Sequence, residues 1–312
     1  MKQDAVLTDR HLHLSGATDP VLLWEIICDS GLKTPAQTYW EFLEAYSANK
    51  GTVANHDDYL KLIHSIDVTQ SSPSAIEKSV YSAFASSYLS GTQHLELRWN
   101  VIKRALRQGE FRIDLDKLIL SARAGMERAK SIFGIDGDMI LCMGRDCSPA
   151  ENEAIFNKAA QYHKRGIIGI DVAGPEHKPL TEHHDYLAHY YSFARSLKMV
   201  TTIHAGETFQ SWTEAEMDYI ITTLRPQRIG HGVQLYRFPA LMKEVAKRGI
   251  LLEICPTSNL VTKALSSREE LREVFSKLRE HGVEYTINTD STFLIRTTLK
   301  AEHKIHADLM GA

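Results

Sequence analysis

The sequence predicts an α/β protein of the (β/α)8 barrel class with a helical insertion after the first strand. Three observations carry this expectation. From residue 94 onward, short apolar runs alternate with helix-length amphipathic stretches, which implies parallel strands joined by right-handed crossovers. With the opening run AVLTDRHLHL there are about eight such strands, the number that closes a barrel. No GxGxxG follows the first strand, so the rival open sheet lacks its commonest signature.

The first strand is read in AVLTDRHLHL, and helix signals crowd the chain between it and the next strand, HLELRW. In DPVLLWEIICDSG, Asp19 is placed to cap, Pro20 to open and Gly31 to end a helix. Thr34 and Pro35 suggest the same device in TPAQTYWEFLEAY, as do Ser72 and Pro73 in SPSAIEKSVYSAFASSYLSG. Such an excursion is an insertion or a cap over something. The later strands are MILCMG, IIGIDVAG, MVTTIHAG, RIGHG, ILLEICP and VEYTINTD. Helices are expected between them, among them SPAENEAIFNKAAQYHKRG and SREELREVFSKLREHG. In the latter, Ser267 is the cap, Glu270 its box partner and Gly282 the stop. No repeat or linker interrupts the pattern, so residues 1–312 are read as one domain.

Composition narrows the function. With 43% hydrophobic and 24% charged residues, the chain has the balance of a soluble globular protein. A net charge of −3 argues against electrostatically driven nucleic-acid binding. The densest basic stretch, KRALRQGEFR from Lys103, contains an acid and reads as a solvated helix face and loop. No run approaches the roughly 20 apolar residues of a membrane span. Cys28, Cys142, Cys147 and Cys255 form no CxxC pair, which suggests a reducing compartment without structural disulfides. The start, MKQDAVLTDRHLH, has no apolar signal segment, so a cytoplasmic protein is expected.

In barrels of this class the chemistry lies at the C-terminal strand ends. His11 and His13, two apart on the first strand, point to one side. Fifteen histidines in 312 residues leave that spacing alone no better than chance. The fifth strand ends in His204 and, past a small-residue turn, Glu207; the sixth in His231; the eighth in Asp290. Taken singly, these are a core histidine, a helix-start acid, a turn residue and an N-cap. Taken together, His11, His13, His204 and Asp290 at one barrel end match the nitrogen and oxygen ligands of a single Zn2+, at about 2.0–2.2 Å. Such a metal lowers the pKa of a water toward about 7. His231 and Glu207 then remain for proton handling and substrate orientation.

Three features are set aside. His94 and Glu96 imitate an HxE zinc motif, but its PCxxC partner is missing. His183, His184 and His189 in EHHDYLAHYY read as a surface helix face, and Cys255 as core or as a residue behind the site.

HLHLSGA, GIDVAGPE, TIHAGET, RIGHGV, EICPTSN and INTD stand in the order and strand context of the adenosine deaminase family of metal-dependent amidohydrolases. The chain resembles that family from about His11 to Glu302. The resemblance implies a hydrolytic deamination, with Zn2+ on His11, His13, His204 and Asp290. His231, helped by Asp290, would orient the water and take its proton. Glu207 would protonate the purine ring nitrogen beside the reacting carbon, and the Gly174 N–H would donate to another ring nitrogen. Burial beneath the purine would raise the pKa of Glu207 toward that task.

Two departures concern the substrate. TDSTFLI replaces the family's TDDPxxF, so Ser291 stands where a second acid bonds the five-membered ring; its hydroxyl is expected to donate there instead. Ser15 stands where many adenosine-specific members carry an acid that meets the sugar 5′ hydroxyl, which is expected to loosen selection at that end. The chain also ends sooner than such relatives, leaving either a shortened chain or a barrel closed less completely. The expected partner is a small purine: adenosine first, 5′-modified adenosines second, free adenine third. One rival is an amidohydrolase that cleaves an amide or ester at the same metal, against which Glu207 and Gly174 stand. The other is a deaminase-like protein that binds without turnover, although every expected ligand and proton carrier is present.

Overall fold

The computed structural model describes residues 6–48, 52–107, 111–112, 114–183 and 185–311. Part of the basic stretch after Lys103, the side chain of His183, all of His184 and the first residue of the AVLTDRHLHL run lie outside the described residues.

Eight parallel strands form the expected ring: β1 (Thr8–His13), β2 (His94–Trp99), β3 (Asp136–Gly144), β4 (Ile167–Ala173), β5 (Val200–Thr201 and His204–Ala205), β6 (Arg228–His231), β7 (Leu251–Ile254) and β8 (Tyr285–Ile287). Each pairs with its neighbour in sequence. The ring closes where β8 runs on to Asp290: its N–H donates to the His11 carbonyl at 2.7 Å, and His13 N–H donates to the Asp290 carbonyl at 2.8 Å. The barrel is therefore closed, and its closing bond joins two of the candidate site residues.

Helices follow the strands and cover their outer faces, as in Leu115–Phe133 after β2 and Pro149–Gln161 after β3. Their apolar stripes and the outward strand residues make one continuous core, including Leu95, Leu97, Ile119, Met126, Met139 and Ile170. Helix Arg268–Glu280 begins at Ser267, as expected. Glu270, expected to close a capping box on Ser267, bonds instead to the N–H of Ser266 at 2.7 Å.

Among the described residues, five helices lie between β1 and β2: α1 (Leu14–Ala17), α2 (Pro20–Ser30), α3 (Tyr39–Ala45), α4 (His56–Thr69) and α5 (Pro73–Leu89). Asp19, Pro20 and Gly31 bound α2, and Ser72 with Pro73 opens α5, as their positions suggested. The start expected at Thr34 and Pro35 is wrong. Thr34 turns its hydroxyl to the Ala36 N–H, and α3 begins four residues later, where Thr38 and Glu41 satisfy two backbone donors reciprocally. Leu23, Ile27, Phe42, Tyr59 and Ile66 of the insertion pack with Leu294 and Ile295 from the loop after β8, in a second core. This core lays α4 across the C-terminal mouth of the barrel.

A candidate metal centre beneath a helical cover

Strand alternation sends an unusual set of charges into the barrel. Glu96 and Arg98 on β2 point inward; Arg98 is fully buried and donates to Asp171 on β4 at 3.1 Å and to Glu253 on β7 at 2.8 Å. Each carboxylate in turn holds a histidine. Glu253 lies 2.9 Å from His11 Nδ1, and Asp171 lies 3.0 Å from His204 Nδ1. With Nδ1 donating, each ring leaves Nε2 facing the mouth. Gly230 makes room for this, because a Cβ there would come within 2.8 Å of the His11 ring.

The structure brings the expected residues together. His13 Nε2 and His204 Nε2 are 2.9 Å apart, and Asp290 Oδ1 is 3.7 Å from His13 Nε2 and 3.8 Å from His11 Nε2. His11 Nε2 is buried with no hydrogen-bond partner among the described residues. Burial, with Arg98 and the neighbouring histidines, holds His11 well below the usual histidine range. Burial, with His204 and Arg98, does the same for His13. For His204, burial opposes the charge but Asp171 outweighs it, and its pKa is raised. An orphaned imidazole nitrogen beside two others and a carboxylate is a donor set that fits a divalent cation.

Asp290 and His231 both adopt left-handed backbone, with φ of 62° and 59°. For residues other than glycine this costs on the order of 1–3 kcal/mol and is kept where surrounding contacts enforce it. Ser258 and Tyr59 hold the second Asp290 oxygen, at 2.5 and 3.2 Å. His231 Nδ1 faces the Asn259 amide at 2.9 Å, and its Nε2 lies 3.5 Å from Glu207. His231 also groups with His11 and His204, one ring nitrogen of each lying within 4.8 Å of the others, but its Nε2 faces Glu207.

A cleft opens above these residues, the concave setting in which small-molecule sites are found. Glu207, His231, Asp290 and Gly174 line it, the last with φ of 116°. Two expectations need correction here. Ser291 is fully buried; its hydroxyl meets the Tyr59 hydroxyl at 2.5 Å, and it is Tyr59 rather than Ser291 that lines the cleft. Ser15 does line the cleft, but the position is not without an acid. Asp67 of α4 accepts a hydrogen bond from the Ser15 hydroxyl and pairs with Arg104 at 2.7 Å. The expected rise for Glu207 belongs to a cleft covered by a purine; the protein's own groups hold it low. Burial pushes its pKa up, but His231 and His56 outweigh that and keep it well below the usual range.

The sequence offers the insertion as a cap without singling out the helix or the residues that form it. His56, Tyr59, Ile63 and Asp67 all face the cleft from α4, and their spacing of three and four residues is a helical face. Asn55 caps this helix, with Asp57 and Asp58 in its first turn. That signal was present and was not read. Arg98, Asp171 and Glu253 were missed because each looks like an isolated charge within an apolar strand.

A family model described as adenosine deaminase matches residues 7–312. An adenosine deaminase of Vibrio vulnificus is 28% identical over 294 residues, covering 94% of this chain and 85% of that protein. An adenine deaminase of a Chelativorans species is 29% identical, covering 96% and 86%. An amidohydrolase from Burkholderia ambifaria, solved with bound Zn, superposes with a TM-score of 0.82 at 22% identity, over 96% of this chain and 79% of that one. At that identity the likeness speaks for the fold.

Proposed function

The chain belongs to the adenosine deaminase family, and from this membership we propose that it is a zinc-dependent enzyme that hydrolyses the exocyclic amine of a 6-aminopurine nucleoside and releases ammonia. The observation that carries the reading is the convergence of His11, His13, His204 and Asp290 at the floor of a cleft that Glu207 and His231 also face. His11, His13, His204 and Asp290 would hold one Zn2+, whose chemistry is to polarise a water so that it deprotonates near neutral pH.

The chain's own residues do the rest. His231 Nε2 is placed to take the proton of the attacking water. For this its Nδ1 must carry the ring proton. Asn259 Nδ2 lies 2.9 Å from it and Asn259 Oδ1 has no partner among the described residues, so turning the amide over would bring Oδ1 to accept from Nδ1–H and select that tautomer. Glu207 protonates the ring nitrogen beside the reacting carbon, which makes that carbon electrophilic. Glu176 fixes the segment carrying Glu207 by accepting from the Thr208 N–H at 2.7 Å. Gly174 lets the purine approach the backbone. His56, Tyr59 and Ile63 of α4 exclude water from above.

Adenosine is the first choice of substrate. Asp67, Arg104 and Ser15 form a paired donor–acceptor cluster at the cleft wall, and Lys103 is paired with Asp146 at 2.8 Å. That arrangement suits neutral hydroxyls better than a phosphate, which needs unpaired positive charge. Free adenine is the second reading, favoured by the Chelativorans relative. The free cysteines and the resemblance fit a cytoplasmic enzyme of purine metabolism. Among the described residues no helix is long and apolar enough to cross a membrane.

Ammonia release by zinc-loaded protein from adenosine, adenine, AMP and 5′-modified adenosines tests the proposal. Turnover of adenosine with slower adenine is expected. Silence across the panel with stoichiometric zinc bound would overturn it.

A further inference from the structure

His56 begins α4, and its imidazole stands on a wall between two spaces. On one side is the cleft; on the other is an outer hollow bordered by Asp57, Glu176, His177 and Thr208. His56 Nε2 is 3.1 Å from Glu207 Oε2, the same oxygen that lies 3.5 Å from His231 Nε2. The acid of the proposed reaction is thus reached from the inside by the residue that handles water, and from the outside by a second histidine.

The proton count of the reaction gives this second histidine a task. Hydrolysis consumes one water. One of its protons leaves with the amine as ammonia. The proton that Glu207 places on the ring stays with the product as a lactam N–H. The second water proton leaves through His231 to solvent, so Glu207 must regain one proton in each turnover.

We propose that His56 is the positioning residue that returns this proton, passing it from the outer hollow to Glu207. The His56 Nε2–H bond breaks as the Glu207 Oε2–H bond forms, and the neutral imidazole is reprotonated by water in the hollow. The inference rests on the aminopurine deaminase reading. Nothing in hydrolysis of a substrate without a ring nitrogen calls for it.

The surroundings of His56 suit a proton store. Burial opposes its charge, but Glu207 above all, then Glu176 and Asp57, push its pKa up to about 9. It therefore holds a proton at neutral pH while Glu207 stays ionised. His177, the other histidine lining this hollow among the described residues, pairs with Asp57 at 3.2 Å, and Glu176, Arg237, Lys263 and Glu270 are the further charged groups on its rim. A purine closing the cleft excludes water and favours the neutral pair, which is the state in which Glu207 can donate.

The test compares zinc-loaded wild type, His56→Ala and His56→Gln for ammonia release. In His56→Ala, kcat is expected to fall about 10²-fold with little change in KM, and added imidazole should restore it in a saturable way. His56→Gln, which fills the space, should show the fall without the rescue. Wild-type kcat in both variants would overturn the relay alone, as would a loss in His56→Ala that imidazole does not repair. A wild type silent on every aminopurine would overturn the functional reading and the relay with it. A second readout needs no His56 variant and no turnover. In ring-labelled histidine NMR, His56 should titrate above the ordinary value of about 6.5 and return toward it in Glu207→Gln; an unmoved titration would overturn the coupling.

Discussion

Glu253 Oε2 lies 2.9 Å from His11 Nδ1 and 2.8 Å from an Arg98 nitrogen, and none of the three side chains reaches solvent. The carboxylate therefore fixes which His11 nitrogen faces the centre, while Arg98 makes its burial tolerable. Glu253→Gln keeps the shape and removes the charge. Zinc affinity, measured by chelator competition, is expected to fall about 10–100-fold. Because the variant also leaves Arg98 one partner short, its Tm should fall as well.

Asp290 is held on two sides, by Ser258 and Tyr59 at one oxygen and by the left-handed backbone that turns the other toward the histidines. Asp290→Ala is expected to abolish ammonia release and to lower bound zinc measured by elemental analysis. Full zinc content in that variant would remove Asp290 from the ligand set.

Ser291 is a packing residue in this structure. Gly16 sits against it so closely that a Cβ there would meet the Ser291 oxygen at 2.1 Å. Ser291→Ala loses the bond to Tyr59 and is expected to cost about 1 kcal/mol, read in denaturant melts, with the adenosine-to-adenine rate ratio unchanged. Ser291→Asp should destabilise far more, by placing a second carboxylate beside Asp290. A shifted rate ratio in Ser291→Ala would return its hydroxyl to the substrate.

Asp67 supplies from α4 the acid that position 15 lacks. Asp67→Asn is expected to raise KM for adenosine about 10-fold, the loss of one charge-assisted hydrogen bond. KM for adenine, which carries no sugar, should hardly change. Equal rises for both would show that Asp67 serves the fold through Arg104 rather than the substrate.

The His56–Glu207 pair sets a pH window for stability. The raised pKa of His56 makes its contribution full below its ordinary value and lost as pH rises through about 9. The lowered pKa of Glu207 makes its contribution full above 4.5 and lost as pH falls below that. The Tm difference between wild type and His56→Gln, taken without metal, should be largest near pH ~6 and shrink above about 9. A difference that grows with pH would mean the histidine is held neutral.

The barrel, the insertion and the convergence of His11, His13, His204, Glu207, His231 and Asp290 were legible because they depend on local pattern. Strand and helix periods name the elements, and parallel connectivity sends every strand's C-terminal residue to one rim. Capping is legible too, although Thr34 misled: Thr38 with Glu41 satisfies two donors, and Thr34 only one. Partners across the barrel were not legible. Arg98 meets Asp171 and Glu253 from strands 73 and 155 residues away, and α4 is laid over the mouth by a core it shares with Leu294 and Ile295. Those contacts come from chain closure and packing. They alone decided that Ser291 faces a tyrosine, that an acid stands beside Ser15, and that Glu207 rests against His56 and stays ionised.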